Sequence, residues 1–504
     1  MPAPRTLLLA TTVLSACRGD ALDSGTTEPD LLELRPLSVS DDLRIVDDLD
    51  REVLLRGVNI TSLGEYWQGH PDYPPTLPTT DEDWDEMAAW GLSVIRLVVH
   101  WSRLEPERGQ LDHAYLDEIE ATVDLAAEHG LYTVIDMHQD AYSAFIYTTD
   151  DETCPEGTSP GKGWDGAPAW ATLTDGLSTC VSGDRNSAPA VVAAWNHFYD
   201  DTDGIRSAFV STWSAVAQRF ADRPEVAGFD LLNEPETSRP SSELTPLYDA
   251  LIVELVDAIR DAGADQLVFL EPVIPAGELS HGLILADPTR MGLEPHNLVN
   301  STHNYAESID VTGLSLEATN DAIAALSEAQ ETGVWIGEYG FWSTSDDTLE
   351  VAGRYAADED AHVQGGAWWQ WRQPCGDPHS LHHDGTSWQP DDTIVHLHAM
   401  DCANDTDLGP TEAFQTLLSR AYPRVAPGRI QLLASDPHSG QLQLEASAAQ
   451  AGDRLVVWTP TTADTHLVEI DGLDGLSEEA VDGGRLLSAT VSADGAYTLD
   501  IDPL

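Results

Sequence analysis

A carboxylate can act as acid, base or nucleophile, so in a chain with 87 acidic residues the question is which of them the backbone could aim. Two stand apart. Glu234 ends the stretch Phe229-Asp230-Leu231-Leu232-Asn233-Glu234-Pro235, and Glu338 lies in Val334-Trp335-Ile336-Gly337-Glu338-Tyr339-Gly340. Each follows an apolar run of strand-like composition. Strands of a closed parallel barrel bring their C-terminal ends to one face, where side chains from distant parts of the sequence meet. A converging pair of carboxyl groups suits cleavage of a glycosidic bond: one protonates the leaving oxygen while the other attacks the anomeric carbon. The other carboxylates read as solvated surface, and Asp230 as structural.

Such convergence requires parallel strands. Eight short runs rich in Val, Ile and Leu recur, at residues 54–60, 94–99, 132–137, 228–232, 267–270, 298–302, 334–337 and 366–371. Between them lie helical patterns such as 114–128, 205–220, 247–262 and 318–331. Continuous apolar runs alternating with amphipathic stretches indicate buried parallel strands covered by helices. The pattern predicts an α/β fold, a (β/α)8 TIM barrel, over residues 36–426. An open doubly wound sheet is the rival, but no glycine-rich phosphate turn follows the first run. Residues 139–224 form a long insertion over the mouth, and its Trp164, Trp170 and Trp195 read as ligand-facing. From 427 to 504 the texture changes to alternating segments at 429–433, 441–446, 454–458, 465–470 and 496–501, which predict a small antiparallel β-sandwich.

The formal net charge of −63 sets 24 basic against 87 acidic side chains and repels phosphate backbones, so nucleic acid is excluded as a partner. Lys162 is the only lysine. An acidic excess of this kind suits a saline environment, where salt screens the self-repulsion. Arg5 and the apolar run 6–14 read as a secretory signal, and Leu14-Ser15-Ala16-Cys17 resembles the bacterial lipoprotein site. Residues 1–17 are then a signal peptide, Cys17 a lipidated mature N-terminus, and 18–35 a flexible tether. The rival is an ordinary signal peptide with an incidental cysteine. Export leaves the enzyme on the extracellular or periplasmic face of a bacterial membrane, touching it only through the anchor, and a monomer is expected. In an oxidising compartment the remaining cysteines are expected to pair, Cys154 with Cys180 and Cys375 with Cys402, each pair bracketing one loop-like stretch. His379, His382, His383, His396 and His398 lie near the second pair, but their spacing matches no zinc pattern, and they read as surface-loop histidines.

The motifs around the two glutamates resemble those of glycoside hydrolase family 5, in the clan of retaining barrel glycosidases. Asn233-Glu234-Pro235 is similar to its acid/base signature, and Gly337-Glu338-Tyr339-Gly340 to its nucleophile signature. Arg96, His138, Asn233, His303, Tyr305 and Trp371 fall at the expected strand ends. The resemblance implies that Asn233 binds the sugar 2-hydroxyl, Tyr305 orients Glu338, and Trp371 faces the sugar. No metal or organic cofactor is implied. The segment 138–143, with Asp140 as a further substrate contact, the later 165–170 and the trailing sandwich resemble the endoglycoceramidases. That implies cleavage between glycan and ceramide in glycosphingolipids. The loop after the first strand, Ile60-Thr61-Ser62-Leu63-Gly64-Glu65-Tyr66-Trp67, departs from the pattern by lacking a sugar-contacting lysine.

Each site residue also has a bland reading. Arg96 pairs equally well with any barrel-interior carboxylate, His138 and His303 could be buried, satisfied histidines, and Trp368, Trp369 and Trp371 could be core packing. Two other functions compete. One is a family 5 β-glucosidase, endoglucanase or mannanase acting on another glucoside or a polysaccharide. The other is a non-catalytic carbohydrate-binding barrel.

Overall fold

The computed structural model describes residues 31–275, 284–309, 313–404, 406–461 and 466–503. The signal segment and Cys17 lie outside the described residues, as does most of the tether. Its centre is a parallel barrel of β1 (Arg56–Ile60), β2 (Val94–Val99), β3 (Tyr132–Met137), β4 (Val226–Asp230), β5 (Leu267–Leu270), β6 (Leu298–Asn300), β7 (Gly333–Val334 and Ile336–Tyr339) and β8 (Gly366–Trp368). Every residue of β2 is buried, as expected of a strand covered on both faces, and Arg96 alone breaks its run of Val, Ile and Leu. The strand β7 is split. Its first piece pairs with β6 and its second with β8, so together they close the barrel. The break falls at Trp335, whose ring is fully buried against Phe269 and whose indole N–H donates to the Leu55 carbonyl at 2.8 Å.

Helices start where side chains can satisfy the first free N–H groups. Asp112 accepts from Ala114 and Tyr115 to start the helix His113–Glu128, and Ser315 accepts from Ala318 to start Leu316–Gln330. Their buried faces carry Leu116, Ile119 and Val123, and Leu316 and Ile323. The insertion after β3 is ordered by the Cys154–Cys180 disulfide and by the helix Pro189–Tyr199. The Cys375–Cys402 disulfide ties together the long segment after β8.

Two antiparallel sheets form the second unit. One contains Arg429–Ser435, Leu442–Ala449, Gly495–Pro503 and His466–Asp471. The other contains Tyr422–Pro427, Arg454–Pro460, Gly484–Val491 and Leu473–Val481, and it is extended by Leu37–Val39, Ile45–Asp47 and Arg51–Val53. Residues before the barrel therefore complete the sheet that follows it, with Val53 opposite Val425 and Arg51 opposite Pro427. A boundary drawn at 427 divides this arrangement, because strands of three residues are too short to show a period. A buried ionic cluster joins the two units: Arg56 and Arg420 face Glu359 and Asp360, and the Ser435 N–H donates to Asp360 at 2.8 Å.

Candidate active site

The C-terminal strand ends bring Glu234 and Glu338 together as the sequence predicts. One carboxylate oxygen of each lies within 4.8 Å of the other, with a ring nitrogen of His303 between them. Both oxygens of Glu338 are held, Oε1 by Arg96 Nη1 at 2.8 Å and Oε2 by the Tyr305 hydroxyl at 2.8 Å. Glu234 sits just past β4 with φ at 38°, a left-handed conformation that costs a glutamate ~1–2 kcal/mol. Its N–H donates to Glu271 Oε2 at 2.7 Å, which fixes the turn.

Arg96 is the hub. Fully buried, it reaches Asp230 at 2.9 Å, Asp136 at 3.0 Å, Glu271 at 2.9 Å and Glu338 at 2.8 Å, and donates to Asn59 at 3.1 Å and Asn233 at 3.0 Å. Burial would lower its pKa, but the surrounding carboxylates outweigh burial and hold it well above the usual range. The bland reading of Arg96 as partner of an interior carboxylate and its role beside the nucleophile are the same contact.

His303 places Nδ1 2.9 Å from Glu234 Oε1 and 3.5 Å from Glu338 Oε2, and Nε2 3.3 Å from Glu271. Burial pushes its pKa down, yet Glu271 and Glu338 win and raise it well above normal, which favours the protonated ring. His138 takes the opposite state. Burial lowers its pKa to about 4, and its Nδ1 sits 2.7 Å from Asp136, which makes it a neutral ring donating from Nδ1. Its Nε2 faces the Asn233 amide at 3.4 Å. The Asn233 nitrogen also donates to the Gln139 carbonyl at 3.1 Å, while the Gln139 side chain donates to the carbonyls of Asn233 and Glu234.

Among the described residues, two carboxylate clusters have atoms within 4.8 Å of one another, Glu234–His303–Glu338 and Asp136–Asp230–Glu271. Each already faces a cation of the protein, His303 in the first and Arg96 in the second. Burial by itself would raise the pKa of Glu234; hydrogen bonding and charge from His303, with Arg185, outweigh it and hold the carboxyl below its ordinary value. Arg185 comes from the insertion. It lies 3.3 Å from Glu234 Oε2, pairs with Asp140, and rests 4.6 Å from the Trp164 ring centroid. Asp140 also meets His379 Nε2 at 3.0 Å, and these two cations hold its pKa well below the carboxylate range against burial.

Several expectations need correction. Trp371 does not face the sugar site. It is buried, donates to Asp83 at 2.9 Å, and packs against Trp90 and His398. Of the tryptophans that follow β8, Trp369 is the one beside the site, its ring stacked on His138 with centroids 5.1 Å apart. Of the insertion tryptophans, Trp195 is buried against Phe198 and Tyr199, and Trp170 packs on Trp101 and donates to Glu105, so only Trp164 borders the site. His379, His396 and His398 are not surface-loop histidines: His379 binds Asp140, and the other two are buried. Lys162 does not replace the lysine missing after β1, because its ammonium donates to the carbonyls of Pro378 and Leu381 and straps the insertion to the segment after β8.

Glu271 was findable. Leu267-Val268-Phe269-Leu270-Glu271-Pro272 repeats the apolar-strand-then-Glu-Pro pattern of Glu234. Arg185 and His379 carried no such signal, since both lie far along irregular segments. At the rim, Trp67 lies 5.5 Å from both Tyr147 and Trp388, while Phe145 is 48% exposed and Ile146 is buried in the core.

Residues 46–373 match the family model Cellulase (glycosyl hydrolase family 5). The chain is 27% identical over 281 residues to endoglycoceramidase I of Rhodococcus hoagii, a match that covers 53% of this chain and 52% of that protein. The chain thus spans about half the length of the curated relatives it matches. Among solved structures, an endogalactoceramidase superposes with a TM-score of 0.81 at 33% identity, over 94% of this chain and 100% of that one. Endo-glycoceramidase II from Rhodococcus sp., solved as a lactosyl-enzyme intermediate, superposes with a TM-score of 0.69 at 25% identity, over 92% and 99%. The same enzyme has been solved with ganglioside GM3. With its barrel, its paired glutamates and these matches, the chain belongs to glycosyl hydrolase family 5 and is similar over nearly its whole length to endoglycoceramidases.

Proposed function

We propose that the protein is a retaining endo-β-glycosidase that cleaves the bond between glycan and ceramide in glycosphingolipids. The observation that carries the chemistry is that one carboxylate oxygen of Glu234 and one of Glu338 lie within 4.8 Å of each other. A single-displacement, inverting site needs ~6.5–9.5 Å to seat a water between them, whereas a retaining site needs ~5–5.5 Å. Glu338, held by Arg96 and Tyr305, attacks the anomeric carbon as Glu234 protonates the departing oxygen. The covalent glycosyl-enzyme then yields to a water that Glu234 deprotonates. The family resemblance supports Asn233 as the partner of the 2-hydroxyl and Asp140 as a further sugar contact, and Trp369, stacked on His138, supports an aromatic wall beside the sugar.

The superposition on an endogalactoceramidase, at a TM-score of 0.81 against 0.69 for endo-glycoceramidase II, favours galactose over glucose as the sugar attached to ceramide. Product analysis after incubation with galactosyl-, glucosyl- and lactosyl-ceramides, and with a soluble β-glucan, tests this. Release of intact glycan and free ceramide, fastest from the galactosyl lipid, is the expected result. Faster release of sugar from the β-glucan would overturn the lipid reading and leave a family 5 polysaccharidase, while no hydrolysis of any substrate, aryl glycosides included, would leave a binding barrel.

The lipoprotein-type N-terminus supports an exported protein anchored through Cys17. Mass spectrometry of the mature N-terminus reads the lipid directly, and an unmodified terminus at any other residue would sink the anchor.

A further inference from the structure

Arg185 enters the active centre from outside the barrel. It opens the short turn Arg185–Ser187, which Asp184 starts by accepting the Asn186 N–H at 2.8 Å. Its guanidinium lies over Trp164 with the carbon 4.6 Å from the ring centroid, an arrangement that fixes a planar cation more firmly than a solvated one. From there a single nitrogen, Nη2, reaches both the Asp140 carboxylate and, at 3.3 Å, Glu234 Oε2. Only 22% of the side chain is exposed. The strap formed by Lys162 anchors the same stretch of insertion to the segment after β8, so Trp164 and Arg185 approach the barrel from a fixed direction.

We propose that Arg185 is a positioning residue for the reaction: it ties the acid/base Glu234 and Asp140 into one ion-paired unit, so that the insertion supplies part of the catalytic apparatus. This rests on the assignment of Glu234 as acid/base. Other charged and titratable groups also face Glu234. His303 donates to it, Glu271 accepts its N–H, and Glu338, Tyr305, Asp140 and Glu236 lie around it. Among these the cations are His303 and Arg185, and Arg185 is the one that the barrel itself does not supply. A guanidinium beside a carboxyl favours its ionised form. Glu234 must hold a proton to start glycosylation, so its ionisation sets the alkaline limb of kcat/KM. Removing the positive charge therefore moves that limb to higher pH. It also moves the acidic limb of the deglycosylation step upward, since that step needs the carboxylate.

The experiment is the pH profile of kcat/KM for R185Q and R185K on a phenyl β-glycoside, whose poor leaving group demands the acid. R185Q should shift the alkaline limb upward by ~1 pH unit or more, and R185K, which keeps the charge, should leave the limb in place. Loosening of the insertion without an electrostatic role would lower the whole profile and leave its limbs where they are, and that result would overturn the proposal. Should R185Q turn over too slowly to profile, difference infrared titration of the Glu234 carboxyl in wild type and R185Q reads the same midpoint, and coincident midpoints would overturn it equally. Failure here is separable from failure of the acid/base assignment, which the leaving-group dependence of E234A tests on its own.

Discussion

Glu338 and Glu234 differ in how tightly they are held, and the difference matches their steps. Both oxygens of Glu338 accept strong donors, Arg96 and Tyr305, at 2.8 Å, which aims a nucleophile that must not wander. Glu234 is contacted by His303 and Arg185 and has 17% of its side chain open to the mouth, where a proton must pass to substrate and back. E338A should therefore abolish turnover of every substrate. E234A should lose most with poor leaving groups and retain much of its first step with dinitrophenyl glycosides, so equal losses across a leaving-group series would contradict the acid role. The tryptophans after β8 make a second contrast. W369A should raise KM ~10-fold through loss of the aromatic face, and it should also destabilise, because Trp369 is as buried as Trp371. W371A should leave KM near wild type and destabilise by ~3–5 kcal/mol, because Trp371 fills core between Trp90, His398 and Asp83. Initial rates on the two variants check the assignment, and a raised KM in W371A with none in W369A would contradict it.

At the scale of elements, the barrel supplies Arg96, Asn233, Glu234, Glu271 and Glu338 from strand ends, while the insertion and the segment after β8 supply Arg185, Trp164 and His379. The first set is positioned by parallel ladders and the second by a disulfide, a lysine strap and ion pairs. The bridge Cys154–Cys180 spans 26 residues, and closing a loop of that length stabilises by ~3–4 kcal/mol in the chain-entropy model. Replacing both cysteines with serine should make the insertion the first site of limited proteolysis and raise KM, since Trp164 and Arg185 lie in or beside the bridged stretch. An unchanged KM and cleavage pattern would mean that the helix Pro189–Tyr199 and the strap suffice to order it.

Across the whole molecule, electrostatics and the junction of the two units set the conditions for stability. A net charge of −63 stores self-repulsion that salt relieves, so the thermal midpoint should rise between 0.1 M and 1 M NaCl as the screening length falls from ~10 Å to ~3 Å. A flat or falling midpoint would show that local ion pairs outweigh the long-range field. Glu52, on the strand Arg51–Val53 that joins barrel to sandwich, is raised by burial to about 7, despite the Ile430 N–H at 3.1 Å and Arg44 at 3.6 Å. The folded state then binds this proton more tightly than the unfolded chain, whose value is 4.5. The resulting stability is present below pH 4.5 and lost as pH rises through 7, a swing of roughly 3 kcal/mol. Denaturant titrations at pH 5 and pH 8 should show a smaller pH dependence in E52Q than in wild type.

The barrel strands were legible because a strand covered on both faces must be apolar throughout, and six residues such as Val94–Val99 announce that locally. The two glutamates were legible because they end such strands, and barrel geometry sends strand ends to one mouth. The disulfide pairs could be read from bracketing alone. Other features depended on contacts between segments far apart in the chain. The residue parity that turns Trp369 to His138 and Trp371 to Asp83 is decided after β8 has ended, where no strand period applies. The split in β7 reflects which neighbour each half pairs with, and the membership of residues 37–53 in the distal sheet depends on partners beyond residue 420. Arg185, His379 and the charge states of His303 and His138 follow from burial and from carboxylates contributed by other strands and loops, quantities that exist only once the chain has closed on itself.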